Sequence, residues 1–341
     1  MSGKSYREIG RFQRKVNAAR EIYRRGFDYT YSLYRFKWNM AAKYGTRFAF
    51  PLHLDIEVTD ACNLRCIMCV HSYKKELKTG FIDISFARDL IDQGAGNGLY
   101  SLKFNWRGEP LLHKGLEDLV AYAKLKGIID VQFNTNGMLL TEERIERLID
   151  AGLDRIIFSL DGATKQTYER IRVGGNFDRV VENIGKVYEK KRERDSVRPF
   201  VRVQMVRMKD NKDEVDLFMR TWKPFVDDIR ISDVTDRGQG DQLAVGDQVA
   251  VGRKRCPQPW QRLVISREGD ALMCCGDWFK EQKVGDARTQ TIREIWLGPQ
   301  MREIRRIQRE GKLNGISPCK DCFVKESYVW EKRRNGDRKE K

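Results

Sequence analysis

Three cysteines fall within eight positions of the stretch "VTDACNLRCIMCVHS" (residues 58–72): Cys62, Cys66 and Cys69, spaced C-x3-C-x2-C. Thiolates are soft metal ligands, and three of them are one too few to close a tetrahedral site. Such a set keeps one position open for an incoming group. The residues alone allow a cluster with one iron lacking a protein ligand, or a zinc site completed by His71. Zinc more often shows paired C-x2-C spacings. A second set, Cys256, Cys274, Cys319 and Cys322, has four thiolates, which suit an iron–sulfur cluster or structural zinc. Cys275, the eighth cysteine, adjoins Cys274. Neighbours on a strand point to opposite faces, so Cys275 is expected to face away from a ligating Cys274, or to ligate in its place. A small buried hydrophobe is the ordinary role of such a thiol.

Something must hold these sets in place, and the chain supplies alternating strands and helices. Strands are expected at 51–58, 99–106, 129–136, 153–162, 200–208 and 227–234. Between them lie helical patterns such as "ISFARDLIDQGAGNG", "LEDLVAYAKLKG", "TEERIERLIDAG" and "FDRVVENIGKVYEKKRER", with Thr141 as an N-cap. Six strands in this alternation predict a parallel sheet with helices outside, whose chemistry sits at the C-terminal strand ends. The three-cysteine loop follows the first strand. Residues 235–255 are Gly-rich and polar and read as a linker. Beyond it, "RLVIS", "REGD" and "ALMCC" predict a β-hairpin, and "TIREIWLGPQMREIRRIQREG" predicts a helix.

Composition sets the class. Of 341 residues, 40% are hydrophobic and 33% charged, which reads as a soluble globular protein. No run of 18 apolar residues and no signal-peptide pattern occurs, so a cytoplasmic, reducing location without a membrane span is expected, where cysteines serve metals rather than disulfides. The net charge is +16, and residues 1–50 carry 12 Lys/Arg against 3 Asp/Glu together with 12 aromatics. This segment reads as a helical extension that packs its aromatics on the main domain. A basic aromatic stretch can also face nucleic acid, but no specific nucleic-acid partner is expected.

The cysteine spacing on this framework resembles the radical S-adenosylmethionine (SAM) enzyme superfamily, over roughly residues 50–325. Met68 stands where that family usually has an aromatic. "WRGEP" (106–110) resembles its Gly-Gly-Glu segment, with Arg107 in place of the first glycine; "FNTNG" (133–137) and "FSLDG" (158–162) resemble its later segments. The C-terminal part resembles the SPASM/twitch extension, and the lack of cysteines after Cys322 points to the shorter form with one auxiliary cluster.

The resemblance implies an α/β fold: a partial (β/α)6 radical SAM barrel with an N-terminal helical extension and a C-terminal twitch/SPASM-like Fe–S domain. The expected divisions are 1–50 extension, 51–235 barrel, 236–255 linker, 256–330 auxiliary-cluster domain and 331–341 basic tail. It implies a [4Fe–4S] cluster on Cys62, Cys66 and Cys69 whose open iron binds SAM, and an auxiliary [4Fe–4S] cluster on Cys256, Cys274, Cys319 and Cys322. Gly108, Glu109, Asn134, Ser159, Asp161 and Gln204 are expected cofactor contacts; Asn136 and Arg202 are weaker candidates. The implied reaction is reductive SAM cleavage to a 5′-deoxyadenosyl radical and hydrogen-atom abstraction. The substrate radical then has two expected fates: two-electron oxidation of a sugar or aminocyclitol, or epimerisation with Cys275 as hydrogen-atom donor. Modification of a ribosomal peptide precursor is a different class, and RNA modification a distant one. Expected partners are a small-molecule or peptide substrate and an electron donor such as flavodoxin or ferredoxin.

Overall fold

The computed structural model describes residues 28–73, 79–234, 243, 245, 256–320 and 322. The expected linker and the basic tail lie almost wholly outside the described residues, as does the extension before Asp28.

Six parallel strands form the frame: β1 (His53–Ile56), β2 (Ser101–Lys103), β3 (Asp130–Thr135), β4 (Arg155–Ser159), β5 (Phe200–Arg207) and β6 (Asp228–Asp233). They lie side by side in chain order, as expected for serial β–α units. Along each, one set of alternate residues is apolar. Leu54, Ile56, Leu102, Val131, Phe133, Ile156, Val201 and Val203 enter the main core. Helices cover that face: α2 (Ile84–Gly96), α3 (Leu116–Leu125), α4 (Glu142–Asp150), α5 (Lys165–Ile171), α6 (Phe177–Glu193) and α7 (Val215–Trp222) follow the extension helix α1 (Tyr29–Tyr44). Asp83, Thr141, Thr164 and Asn176 cap four of them by accepting a backbone N–H in the first turn. Thr141 is the cap that the sequence predicts.

The other set of alternate residues is polar, including His53, Asp55, Ser101, Lys103, Asp130 and Gln132, and faces the inside of the sheet.

The expected hairpin is present as β7 (Arg262–Ile265) and β8 (Asp270–Leu272), followed by β9 (Lys283–Asp286). It does not stand apart. β7 pairs in parallel with β1, from His53 opposite Arg262 to Ile56 opposite Ile265, so the chain forms one nine-stranded sheet in the order β9-β8-β7-β1-β2-β3-β4-β5-β6. The single helix expected at 291–311 breaks into α8 (Ile292–Leu297) and α9 (Pro299–Glu310). Pro299 has no N–H to continue the first helix and forces Gly298 into extended backbone, at φ −67° and ψ 168°.

Helix α1 packs as the sequence suggests. Tyr31 and Tyr34 are buried against Leu52 and Trp260, and Tyr34 stacks on Tyr100 with ring centres 5.5 Å apart. Among the described residues, no helix is long and apolar enough to cross a membrane.

Candidate functional site

The loop leaving β1 is fixed before its first cysteine. Thr59 Oγ1 accepts from Ala61 N–H (3.0 Å) and donates to the Gly80 carbonyl (2.6 Å). Asp60 accepts from Gly80 N–H (2.8 Å) and from Arg267 Nε (2.7 Å). The far side is held where Arg65–Cys66 pairs with Arg172–Val173. Cys62, Cys66 and Cys69 pack into one apolar cluster with Leu64, Met68 and Met138. Leu64 N–H lies 3.5 Å from Cys62 Sγ, and Arg172 Nη1 lies 3.7 Å from Cys66 Sγ.

Burial pushes the Cys62 thiol up to about 12 and the Cys66 thiol up to about 11. Thiols so placed lose their protons only to a strong positive partner, which the irons of a cluster are. With N–H donors already turned to two of the sulfurs, the donor set fits iron–sulfur ligation. Among the described residues, no three His, Cys, Asp or Glu side chains are grouped as ligands of one ion. A four-iron cluster takes each cysteine on a different iron, so its ligands need not meet at one point.

The segment after β2 docks on this loop. Glu109 N–H donates to the Ala61 carbonyl at 2.8 Å. A Cβ on Gly108 would lie 2.4 Å from the Thr59 carbonyl oxygen and 2.5 Å from that of Ala61, so only glycine fits. Arg107, where the family pattern has glycine, forms a bidentate pair with Glu57 at 2.7 and 2.9 Å. Glu109 is buried and accepts from Thr135 Oγ1 (2.7 Å), Asn136 N–H (2.8 Å) and Leu111 N–H (3.1 Å). Burial raises its carboxyl above the ordinary value despite these donors. It ties the loop after β2 to the loop after β3. Asn136 closes that link by donating to Asn63 Oδ1 at 2.9 Å.

The other expected contacts divide. Ser159 and Gln204 face the sheet interior and bond each other, Gln204 Nε2 donating to Ser159 Oγ at 3.0 Å. Arg202 shares that face, because Val201, Val203 and Met205 take the core side. Asn134 Oδ1 is a buried acceptor with no partner, which leaves it open to a ligand's donor. Asp161 has both oxygens engaged, one by Val206 N–H (2.6 Å) and one by Arg172 Nη2 (2.6 Å). It anchors Arg172 beside Cys66. His71 Nε2 is likewise buried without a partner, near the third cysteine. His113 bonds Gly115 N–H and the Ile82 carbonyl and has a turn-forming place.

At the second cysteine set, Gly276 N–H lies 3.1 Å from Cys274 Sγ. Gln308, fully buried on α9, accepts from Cys256 N–H at 2.8 Å and donates to Cys319 Sγ at 3.3 Å. Cys322 N–H reaches the Cys319 carbonyl, and the Cys322 charge acts on Cys274. These four thiols, with N–H donors on two sulfurs, also fit a cluster. The alternation argument for Cys275 does not apply, because β8 ends at Leu272 and both thiols sit in the turn beyond it. They hydrogen-bond each other, which raises Cys274 and lowers Cys275, with the Arg262 charge helping to lower the latter. Cys275 Sγ lies 4.0 Å from Arg262 Nη1 and within the field of Asp55 and Lys103, so it looks toward the sheet interior. Trp106, from the segment after β2, donates to the Cys275 carbonyl at 2.9 Å and joins the two cysteine regions.

Arg172 and Gln308 carry no signal in the sequence. Each reaches its cysteine through tertiary packing, and neither belongs to a recognisable spacing.

Two family models match the chain: the radical SAM superfamily over residues 56–220, and an iron–sulfur cluster-binding domain, SPASM, over residues 256–323. Among curated proteins, a probable GTP 3′,8-cyclase of Methanococcus maripaludis is 33% identical over 134 residues, 39% of this chain and 44% of the relative. The GTP 3′,8-cyclase of Clostridium botulinum is 29% identical over 208 residues, 60% of this chain and 62% of the relative. The chain thus spans about half the length of these curated relatives. Among solved structures, BtrN in complex with AdoMet and 2-DOIA is 20% identical, with a TM-score of 0.54, over 81% of this chain and 94% of that chain. Streptococcus suis SuiB is 16% identical, with a TM-score of 0.63, over 85% and 74%. Native anSMEcpe with bound AdoMet is 15% identical, with a TM-score of 0.59, over 80% and 89%. These structural likenesses are likenesses of fold.

Proposed function

The chain belongs to the radical SAM superfamily and carries a SPASM iron–sulfur domain, and on that premise we propose that it catalyses two-electron oxidation of a sugar- or aminocyclitol-type small molecule. SAM, a [4Fe–4S] cluster and auxiliary iron–sulfur are its cofactors. When bound, SAM and the open-site cluster supply a 5′-deoxyadenosyl radical that takes a hydrogen atom from a C–H bond, and one auxiliary cluster supplies an acceptor for the second electron.

The protein's part is to bind, orient and shield. Cys62, Cys66 and Cys69 hold the first cluster in the apolar pocket of Leu64, Met68 and Met138. Gly108 and Glu109 fix the cysteine loop at the end of the sheet. Arg172, held by Asp161, keeps a positive charge at Cys66. Asn134 offers its unpartnered oxygen, and the Ser159–Gln204 pair offers polar groups on the interior wall. Cys256, Cys274, Cys319 and Cys322 hold the second cluster, with Gln308 bracing two of them. In domain terms the barrel occupies 51–235 and the auxiliary-cluster unit 256–330, joined through β7 pairing on β1.

The observation that supports the reading is the three-thiol cluster at the C-terminal end of the parallel sheet, with Cys66 buried, Cys62 and Cys69 partly buried, and N–H donors turned to the Cys62 and Cys66 sulfurs. A small-molecule substrate gains support from BtrN, whose structure holds 2-DOIA and which the chain matches over 94% of its length. The interior-facing Cys275 favours a second reading, epimerisation, in which its thiol returns a hydrogen atom to the substrate.

Incubation with SAM, dithionite and candidate substrates tests both. Oxidation gives 5′-deoxyadenosine and a product lighter by about two mass units. Epimerisation gives no mass change in ordinary water and deuterium uptake in heavy water. Cys275→Ala should leave oxidation nearly intact; loss of product with 5′-deoxyadenosine still formed would favour the thiol route.

A further inference from the structure

The turn after β8 carries Cys274 and Cys275, and one peptide group in it is held from both ends. Its carbonyl, that of Cys275, accepts two indole N–H groups, from Trp106 at 2.9 Å and from Trp278 at 3.0 Å. Its N–H, that of Gly276, points to Cys274 Sγ at 3.1 Å. A carbonyl oxygen has two lone pairs, and two donors converge on this one. Such donors draw electron density toward the oxygen and leave the amide hydrogen more positive, so bonds at one end of a peptide group strengthen the bond at the other.

The two indoles reach the carbonyl from different parts of the fold. Trp278 lies three residues along the same turn. Trp106 comes from the segment after β2, is buried, and packs with Val264 and Leu272. Arg107 lies over its ring, 4.3 Å from the centre, while bonded to Glu57 and 3.6 Å from Asp60. Asp277 closes the turn. Its N–H reaches the Cys274 carbonyl at 3.3 Å, and its carboxylate accepts from the N–H groups of Glu281 and Gln282 at 2.9 and 2.8 Å. Packing alone asks only for the two rings. The convergence of both indole nitrogens on one oxygen fixes the orientation of the peptide, and with it the direction of the Gly276 N–H.

We infer that Trp106 and Trp278 are positioning residues for the second cluster: through the Cys275–Gly276 peptide they aim and strengthen the N–H donor on Cys274 Sγ, and so raise the reduction potential of the cluster that this sulfur holds. The inference rests on Cys274 as a ligand of that cluster and deepens the oxidation reading. A donor on a ligating sulfur favours the state with one more electron, because the positive end of the N–H faces the added negative charge. In the oxidation proposed above, the substrate's carbinol radical passes one electron to this cluster and its hydroxyl proton to water, which leaves a ketone. A higher potential makes the cluster a better acceptor of that electron. One of the two indoles belongs to the barrel, so the setting depends on the contact between the barrel and the auxiliary-cluster domain.

The test is a redox titration of the second cluster followed by electron paramagnetic resonance. The full-length chain with Cys62→Ala, Cys66→Ala and Cys69→Ala is the background, so that this cluster alone reports. Trp106→Phe and Trp278→Phe each keep an aromatic ring and lose one N–H, and the double variant loses both. At a fixed applied potential the ratio of reduced to oxidised cluster should fall in each single variant and at least threefold in the double, a downward shift of about 28 mV at about 59 mV per tenfold for one electron. Trp278 is only partly buried, so its exchange spares the core and decides the matter where Trp106→Phe fails to assemble the cluster. An unchanged or raised potential with iron retained overturns the inference. Loss of the cluster from both single variants also overturns it, since the indoles would then hold the fold of the turn and not the potential. Cys274→Ala in the same background tests the premise. Retention of the cluster there would remove Cys274 as a ligand, whereas its loss, with wild-type potential in the tryptophan variants, would sink the tuning alone. The titration needs no substrate, so a failure of the oxidation reading is seen separately, in the product masses.

Discussion

Replacing Gly108 with alanine should dislodge the cysteine loop while changing no ligand. The added Cβ would stand 2.4 Å from the Thr59 oxygen, 2.5 Å from the Ala61 oxygen and 2.9 Å from the Asp60 carbonyl carbon, about 1 Å short of ordinary contact on the first two. All three atoms are backbone, so no side chain can swing aside. Retreat is also blocked. Ala61 is held by its carbonyl to Glu109 N–H (2.8 Å) and by its N–H to Thr59 Oγ1 (3.0 Å), and Asp60 is held by Gly80 N–H and Arg267. Overpacking of a tight site costs about 1–3 kcal/mol, and breaking the Glu109–Ala61 bond adds about 1 kcal/mol. The loop must therefore shift, and Cys62, two residues beyond Asp60, shifts with it. Anaerobic reconstitution of Gly108→Ala should give less iron at the three-cysteine set and a 5′-deoxyadenosine yield down at least tenfold. The second set keeps its iron, because its ligands lie elsewhere. Wild-type unfolding temperature and wild-type SAM cleavage in Gly108→Ala would refute the steric argument.

Burial alone would raise the Asp55 carboxyl, but Arg262 and His53 outweigh it and hold the group well below the ordinary carboxylate range. Asp55→Asn leaves Arg262 without its buried counter-charge and should destabilise the protein by about 3–5 kcal/mol near neutral pH. A depressed carboxylate gives its stabilisation above the unfolded value of about 4 and loses it as pH falls below that. Denaturant curves of wild type and variant should converge in acid, and a constant gap would contradict the pairing. Gln308→Leu, which removes the brace between Cys256 and Cys319, should lower auxiliary iron or shift its reduction potential while sparing SAM cleavage; unchanged iron and potential would show the brace to be idle.

Much of the frame was legible because periodicity is local. The six strands, the Thr141 cap and the hairpin of β7 and β8 each arise from a short run of residues. The pairing of β7 with β1 did not, because the two are remote in sequence and nothing in "RLVIS" names its neighbour. The break in the long C-terminal helix was written in Gly298 and Pro299, but the flanking 3.6-residue pattern masked it. At the site, the cysteine spacing marked both sets, and Gly108 and Glu109 marked the docking segment. The roles of individual carboxylates were hidden. Asp161 and Glu109 look alike as acidic groups at strand ends, yet Asp161 is fully engaged by Arg172 and Val206, and Glu109 stitches two loops. Arg107 departs from the family's glycine, and its bidentate pair with Glu57 shows what the departure supports.

The division of labour between the two cysteine sets is tested most directly by 5′-deoxyadenosine formation, with iron content, in wild type and in the combined variant Cys62→Ala, Cys66→Ala and Cys69→Ala. Reconstituted wild type should hold about eight irons per chain, as two four-iron clusters require, and should convert SAM to 5′-deoxyadenosine when reduced by dithionite. The variant should keep about half the iron, on Cys256, Cys274, Cys319 and Cys322, and make no 5′-deoxyadenosine. SAM cleavage by the variant at the wild-type rate would contradict the assignment of the three-thiol pocket.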